Sequence, residues 1–319
     1  MRFNNTLSDD KFSGYKFDYI ISNPPFGIPW KREEKEVTEE FKKGTAGRFA
    51  PGLPAKGDGQ LLFMLNGLAK LKDDGQMAII QNGSSLFNGD AGSGPSEIRR
   101  YLIENDWLDA IVQLPNDAFY NTNIATYIWI VTKDKPVTHR GKVQLIDASE
   151  CYSSRRKNVG SKRVDITKAC RDLIIKTYGV YVDGTYEYVD ENDNSITVKS
   201  KVMDSVEFGY NKITVETPQF DEDGKVVMKR NKPVADASKR DTENVPLSED
   251  IDAYFKREVI PYNPLAWIDK KKTKVGYEIP FTRTFYEYKQ IESSDVIATR
   301  IEEHEKRLME KLHDLFGGE

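Results

Sequence analysis

Cysteine and histidine are scarce in this chain. Two cysteines, Cys151 and Cys170, among 319 residues build no disulfide framework, and three histidines give no metal-ligand cluster. A disulfide-stapled secreted scaffold and a histidine-based metal centre are therefore excluded, and no metal is expected. No apolar run approaches the roughly 20 residues of a membrane span. The opening stretch, MRFNNTLSDDKFSG, has no apolar signal-peptide core. A reducing cytoplasm, with no membrane partner, is the expected setting. Excess charge of one sign is missing too. With 47 Lys and Arg against 51 Asp and Glu, the net charge of −4 neither demands nor forbids nucleic acid, because local distribution governs such binding. What remains, 38% hydrophobic and 31% charged residues, suits a folded soluble chain of one large or two ordinary domains.

The pattern along the chain predicts alternating strands and helices. FDYIIS, residues 17–22, reads as a buried strand. A Gly- and charge-rich stretch from Gly27 to Gly59 follows, with seven Lys/Arg and six Asp/Glu. Its length marks it as a lid, a binding loop or a disordered segment. Leu61, Leu65 and Leu68 stand at helical spacing, with Gly75 as the expected glycine after the helix end. QMAIIQNGSS is a short apolar strand. PSEIRRYLIENDW is a helix with Pro95 in its first turn and Ile98 and Leu102 on one face. LDAIVQL and IATYIWIVT are strands flanking a polar loop, residues 115–123, across which they can pair antiparallel. This order predicts an α/β sheet of mostly parallel strands that an antiparallel edge strand can close, as mixed sheets commonly do. Past residue 150 the composition shifts. Residues 151–176 carry eight Lys/Arg against two Asp/Glu, and residues 181–250 carry sixteen Asp/Glu against nine Lys/Arg. YEYVDENDNSITVKS and QFDEDGKVVMKRNKP read as hairpins turning at Asp-Asn and Asp-Gly. The last thirty residues form an amphipathic helix with Ile297, Ile301, Leu308, Leu312 and Leu315 on one stripe.

Chemistry concentrates in NPPF, residues 23–26. Two consecutive prolines fix φ and donate no N–H, so the first strand stops abruptly at a stiff tip. In open α/β sheets ligands sit beyond the carboxyl ends of the strands, where this tip falls. The exocyclic amino group of a base is a poor nucleophile because its lone pair is delocalised into the ring. Two acceptors aimed at its N–H bonds free that lone pair. The Asn23 side-chain carbonyl and the Pro24 backbone carbonyl suit that task, proline because its fixed φ pre-aims the carbonyl. Phe26 offers a face for stacking worth roughly 1–3 kcal/mol per base, and Pro25 is scaffold. A base within a duplex must be flipped out to reach such a tip. The competing reading of these residues is a plain turn after an edge strand.

NPPF after an apolar strand resembles the catalytic tetrapeptide of the S-adenosylmethionine-dependent amino methyltransferases. The wider chain resembles one branch, the modification subunit of type I restriction-modification systems, an adenine-specific DNA methyltransferase family. NNTLSDDKFSGYKFDYIISNPPFG, GQLLFMLNGLAKLKDDGQMAIIQNGSSLFNG and IRRYLIENDWLDAIVQLPNDAFYNTNIATYIWIVTKDK carry the resemblance, with FGYNKITVETP and VGYEIPFTRTFYEY farther on. It covers most of residues 1–177 and 208–319. It implies an incomplete Rossmann-like methyltransferase sheet with helices on its faces, and a mixed α+β extension ending in a long helix. The implied division is 1–150 for the C-terminal part of the catalytic domain, 151–289 for the extension and 290–319 for the terminal helix. Implied partners are double-stranded DNA and the specificity and restriction subunits.

One departure qualifies the cofactor. The family's glycine-rich S-adenosylmethionine loop lies upstream of NPPF, and the 22 residues before Asn23 hold no such loop. Asn23 is the candidate cofactor contact in this chain. The chain is expected to resemble the C-terminal part of a modification subunit and to bind the cofactor weakly or not at all alone; micromolar binding by calorimetry overturns that. Further candidates face DNA: Trp30 by stacking, against a loop anchor; Lys42, Lys43 and Arg48 on phosphates, against a solvated loop; and Arg155, Arg156, Lys157, Lys162 and Arg163 as a phosphate-tracking run, against an exposed helix face. Asn82 and Ser84 end a strand on the site side. Two other functions compete. One is methyl transfer to protein glutamine or RNA, and the other is a non-catalytic assembly or DNA-binding module.

Overall fold

The structure, a computed structural model, describes residues 5–189, 195–288 and 292–316. One compact unit ends at Thr284 and a second begins at Phe285. The strands of the main sheet are β1 (Phe17–Ser22), β2 (Leu71–Asn82), β3 (Leu108–Gln113), β4 (Thr126–Thr132) and β5 (Lys142–Asp147). A hairpin, β6 (Ser153–Val159) with β7 (Lys162–Asp165), stands apart, and β8 (Gly184–Val189) and β9 (Ser195–Asp204) complete the sheet. Its order is β1-β2-β4-β3-β5-β9-β8. Only β1–β2 and β3–β5 are parallel ladders, yet five of the seven strands run the same way, because β4 and β9 alone are reversed.

The expected antiparallel pairing of β3 with β4 is present. β4 is no edge strand, however: it lies between β2 and β3. Its composition explains this, since Trp129 and Val131 are fully buried on one face while Ile128 and Ile130 are half-buried on the other. A strand apolar on both sides belongs inside a sheet.

Helices α1 (Glu34–Phe41), α2 (Gln60–Lys70), α3 (Ser84–Phe87), α4 (Gly94–Glu104) and α5 (Lys168–Val180) connect the strands. α2 buries Leu61, Leu65 and Leu68 as their spacing predicts. It lies so close to the sheet that a Cβ on Gly67 would stand 2.4 Å from the Met77 sulfur. The helix ends before Gly75: β2 starts at Leu71, and Gly75 sits within it where the β1–β2 register shifts. There a Cβ would come 3.0 Å from the Phe17 carbonyl, so close backbone approach requires this glycine. α4 buries Ile98 and Leu102. The stretch from Gly27 to Gly59 holds α1 and buries Trp30, Val37 and Phe49, so it is a packed segment.

Beyond the sheet, β10 (Gly209–Glu216) is followed by a small ladder of β11 (Met228–Lys229) with β12 (Lys232–Pro233), then β13 (Asp241–Pro246), α6 (Ile251–Glu258), β14 (Trp267–Ile268), β15 (Lys274–Tyr277), α7 (Phe281–Thr284) and α8 (Ser294–Phe316). The first acidic hairpin is β8–β9, whose Asp-Asn turn lies outside the described residues. The second reverses at Asp-Gly, with Gly224 at φ 75°, and again at Arg230 and Asn231, both left-handed, which close β11–β12. α8 carries its apolar stripe on exposed positions.

Candidate functional site

Asn23 is exposed, Pro24 buried, Pro25 exposed and Phe26 half-buried at the carboxyl end of β1. Pro24 is thus seated in the protein while the asparagine beside it stands free. Below the tip, a cavity of about 220 Å³ is lined by Ile20, Ser22, Pro24, Phe63, Gly67 and Met77. A larger cavity, about 920 Å³, includes Lys16, Lys70, Trp107 and Lys133 in its lining. These residues mark the amino ends of the parallel strands, the edge where α/β sheets do not place ligands.

The tip is pinned from behind. Gly59 N–H donates to the Ile28 carbonyl at 3.0 Å and Trp30 N–H to the Lys56 carbonyl at 3.1 Å. The Trp30 indole N–H donates to the Ala55 carbonyl at 3.0 Å, and its ring is 3% exposed. Trp30 is the anchor of this loop, and its buried ring offers no face to a base. Gln60, at the start of α2, extends the support. Its amide N–H groups reach Asp58 Oδ2 at 2.8 Å and Asn82 Oδ1 at 2.7 Å, and its carbonyl accepts from Asn82 N–H at 3.0 Å. Ser84 N–H donates to Asn82 Oδ1 at 3.0 Å, and its hydroxyl to Asp58 Oδ2 at 2.7 Å. Asn82 and Ser84 are therefore occupied with each other and with Gln60, joining the start of α2 to the end of β2. Sequence reasoning missed Asp58 and Gln60. The signal was an Asp at the start of a helix, next to a Gln in its first turn.

The basic candidates separate. Arg48 is half-buried and committed to the fold. It donates to Glu40 Oε1 and Oε2 at 2.8 and 2.7 Å, to the Thr6 carbonyl and to Asn66 Oδ1, both at 2.8 Å. A side chain so fully engaged is not available to a phosphate. Lys42 and Lys43 are exposed at the end of α1. The run at 155–163 forms the β6–β7 hairpin and no helix. Within it Arg155 and Lys162 bind Asp165 at 2.7 and 3.1 Å, whereas Arg156, Lys157 and Arg163 are exposed without an ion pair among the described residues. The hairpin docks on the loop after β3, with Ser161 N–H on the Tyr120 carbonyl at 2.9 Å and Arg163 N–H on the Asp117 carbonyl at 2.9 Å. It follows the carboxyl end of β5, so it occupies the same rim as Asn23, four strand spacings or about 19 Å along.

Arg48 also carries a pH prediction. Against the upward pull of burial, bonds from Lys70 and the Phe12 N–H and the charges of Lys70 and Arg48 hold the Asp10 carboxyl below its usual 3.8. The same balance, with Arg48 as partner, holds Glu40 below 4.5. Both acids bind protons more weakly in the folded chain. Their stabilisation is complete above ordinary carboxylate values and is lost as pH falls through the lower folded values. Acid titration followed by circular dichroism should show a stability slope in that window, flattened in Asp10→Asn/Glu40→Gln. An unchanged slope overturns the assignment.

An abrupt Pro-Pro tip ahead of a helix that packs on the next strand agrees with what the sequence matches. The N-6 DNA methylase family model matches residues 1–215. The chain belongs to that family. It is 30% identical over 162 residues to the MjaIX methylase subunit of a type I restriction enzyme from Methanocaldococcus jannaschii, covering 50% of this chain and 28% of the relative. With the MpnII methylase subunit of Mycoplasma pneumoniae it shares 31% over 144 residues, 44% of this chain and 25% of the relative. The type I restriction-modification methyltransferase subunit from Streptococcus thermophilus superimposes with a TM-score of 0.50 at 27% identity, over 64% of this chain and 38% of that one. The resemblance to type I modification subunits and the methyltransferase-like mixed sheet read from the sequence both hold. The chain spans about a quarter of the length of these curated relatives.

Proposed function

We propose that this chain carries the acceptor-base end of an S-adenosylmethionine-dependent methyltransferase acting on the exocyclic amino group of adenine in DNA, within a type I modification complex. The single observation supporting it is the exposed Asn23 at the carboxyl end of β1, on a tip that Pro24 and the Trp30 anchor hold rigid. In this reading Asn23 Oδ1 and the Pro24 carbonyl accept the two amino N–H bonds of a flipped adenine, and Phe26 stacks on its ring. Residues 1–150 are then the C-terminal part of the catalytic domain, 151–289 the extension and 290–319 the terminal helix.

The turn after β2, where a glycine meets a helix, is filled by the Gln60–Asn82–Ser84 network, and α3 is a single four-residue turn. When bound, S-adenosylmethionine supplies the methyl group.

DNA is proposed to run along the rim, with Arg156, Lys157 and Arg163 on phosphates and Lys42 and Lys43 near the tip. Each phosphate contact contributes about 0.9 to the slope of log K against log salt. Replacing Arg156, Lys157 and Arg163 by glutamine should lower the slope by roughly 2–3 in the DNA-bound complex, measured by anisotropy across a salt series. An unchanged slope removes the hairpin from the interface. The function itself is tested by incubating the methylase containing this sequence, with its specificity partner, with labelled S-adenosylmethionine and duplex DNA. Label in N6-methyladenine after digestion is expected. Label in protein or RNA instead, or DNA binding without any transfer, favours the competing readings.

A further inference from the structure

The cavity at the amino ends of the parallel strands has the size of a binding site. Its 920 Å³ falls within the roughly 300–1,000 Å³ typical of small-molecule sites. Leu65, Leu68 and Ala69 of α2 give it an apolar floor. Tyr101 and Trp107 stand beside them, their rings meeting edge to face at 5.2 Å. Open α/β sheets hold their substrates at the opposite rim, so the proposed methyl transfer makes no use of this space.

Its charges do not balance. Three acids line it, and each already has a cation: Asp10 is bound to Lys70, Glu40 to Arg48 at 2.7 Å and Asp9 to Lys11 at 2.7 Å. Lys16, Lys43 and Lys133 line it too, and none of them has an ion pair among the described residues. Lys16 and Lys133 are held in place by the backbone. Lys16 Nζ donates to the Ala69 carbonyl at 2.7 Å, and Lys133 Nζ to the Leu71 carbonyl at 3.0 Å.

Capping the carbonyls at the end of α2 is one use of this pair. It engages one of the three donors on each ammonium and leaves two. Burial and the charge of Lys16 pull the Lys133 ammonium below the ordinary lysine value, with Asp73 opposing. An anion arriving between them relieves a repulsion that the fold already carries.

We propose that this cavity binds a nucleoside diphosphate, with its phosphates on Lys16 and Lys133 and its base on the apolar floor beside Tyr101. A single phosphate, at about −1.5 to −2, leaves part of the charge of three lysines unmatched, and a diphosphate matches it. A flat base suits a floor of leucines flanked by rings, which an inorganic anion leaves bare. The inference goes beyond the proposed reaction and stands apart from it, since the site lies at the other end of the strands from Asn23.

The test titrates this chain with adenosine 5′-diphosphate in a calorimeter, with adenosine and inorganic pyrophosphate as separate arms. One diphosphate should bind per chain, more tightly than either fragment. Lys16→Gln/Lys133→Gln should weaken it by about tenfold or more, the usual cost of losing hydrogen bonds from a charged donor. The rim variant Arg156→Gln/Lys157→Gln/Arg163→Gln should bind it as wild type does. If circular dichroism shows the double lysine variant unfolded, Lys16→Gln alone, at an exposed residue, makes the same comparison. No uptake, uptake that the lysine variant retains, or pyrophosphate binding as tightly as the nucleotide overturns the inference. So does duplex DNA that displaces the nucleotide, because the lysines then serve the nucleic acid. None of these readouts uses methyl transfer, so failure of the proposed reaction leaves them unaffected.

Discussion

Asn23→Ala in the assembled methylase should cut methyl transfer to adenine by about 10²–10³-fold in kcat, the usual cost of deleting one preorganised group that acts on developing charge. The acceptor acts most strongly as the amino nitrogen becomes tetrahedral, so the loss falls on kcat and leaves DNA affinity unchanged. Fold stability should also be unchanged, because Asn23 is exposed at the tip. Asn23→Asp keeps a side-chain oxygen acceptor in place and should retain more activity than alanine. Single-turnover kinetics with labelled cofactor separates these outcomes from a binding defect. Equal transfer by wild type and Asn23→Ala removes the amino-group acceptor from the proposal.

That residue was legible because its neighbours leave few conformations open. A strand pattern running into Pro24 and Pro25 can only stop, and the stop falls at the carboxyl end of β1 by simple order. The α2 and α4 faces were legible for the same local reason, since Leu61, Leu65, Leu68, Ile98 and Leu102 follow helical spacing. Long-range placement was not. Whether β4 sits at an edge or inside depends on what lies on either side of Trp129 and Ile130, which periodicity does not encode. α1 was hidden by composition: Val37 is its one buried residue within EKEVTEEF, too little to reveal an amphipathic face. The helix face weighed for the basic run was wrong, because the run is a hairpin docked on Asp117 and Tyr120, some forty residues away. Trp30 and Arg48 show the common hazard of sequence reading. An aromatic and a cation in a polar stretch invite a role with DNA, and both turn out to be occupied by carbonyls and carboxylates of their own chain.

Arg99→Ala should be the most damaging single change outside the hydrophobic core, at about 3–5 kcal/mol. The Arg99 side chain is fully buried. Its Nε donates to the Tyr277 carbonyl at 2.6 Å, and one terminal nitrogen donates to the Ser85 and Asn88 carbonyls at 3.1 and 3.0 Å. Burial pulls the guanidinium down to about 10, with Tyr210 and Glu278 opposing, so it stays charged at neutral pH. One cation thereby ties α4 to the turn after Asn82 and to β15, where Tyr277 N–H also donates to Ser96 Oγ at 2.9 Å and Ile279 N–H to the Leu86 carbonyl at 2.8 Å. Alanine leaves three carbonyls without their donor and opens a cavity. Arg99→Met restores volume and not donors, so it should recover only part of the loss. Thermal melts should fall by roughly 6–12 °C for alanine, with amide exchange at Tyr277 and Ile279 accelerated ahead of β2. The order of release follows from the contacts, because β2 keeps both its ladders when the α4–β15 joint opens. If methionine matches wild type, the carbonyls find water or other donors and Arg99 acts as filler; if alanine does, the joint is held by Ser96 and Leu86 alone.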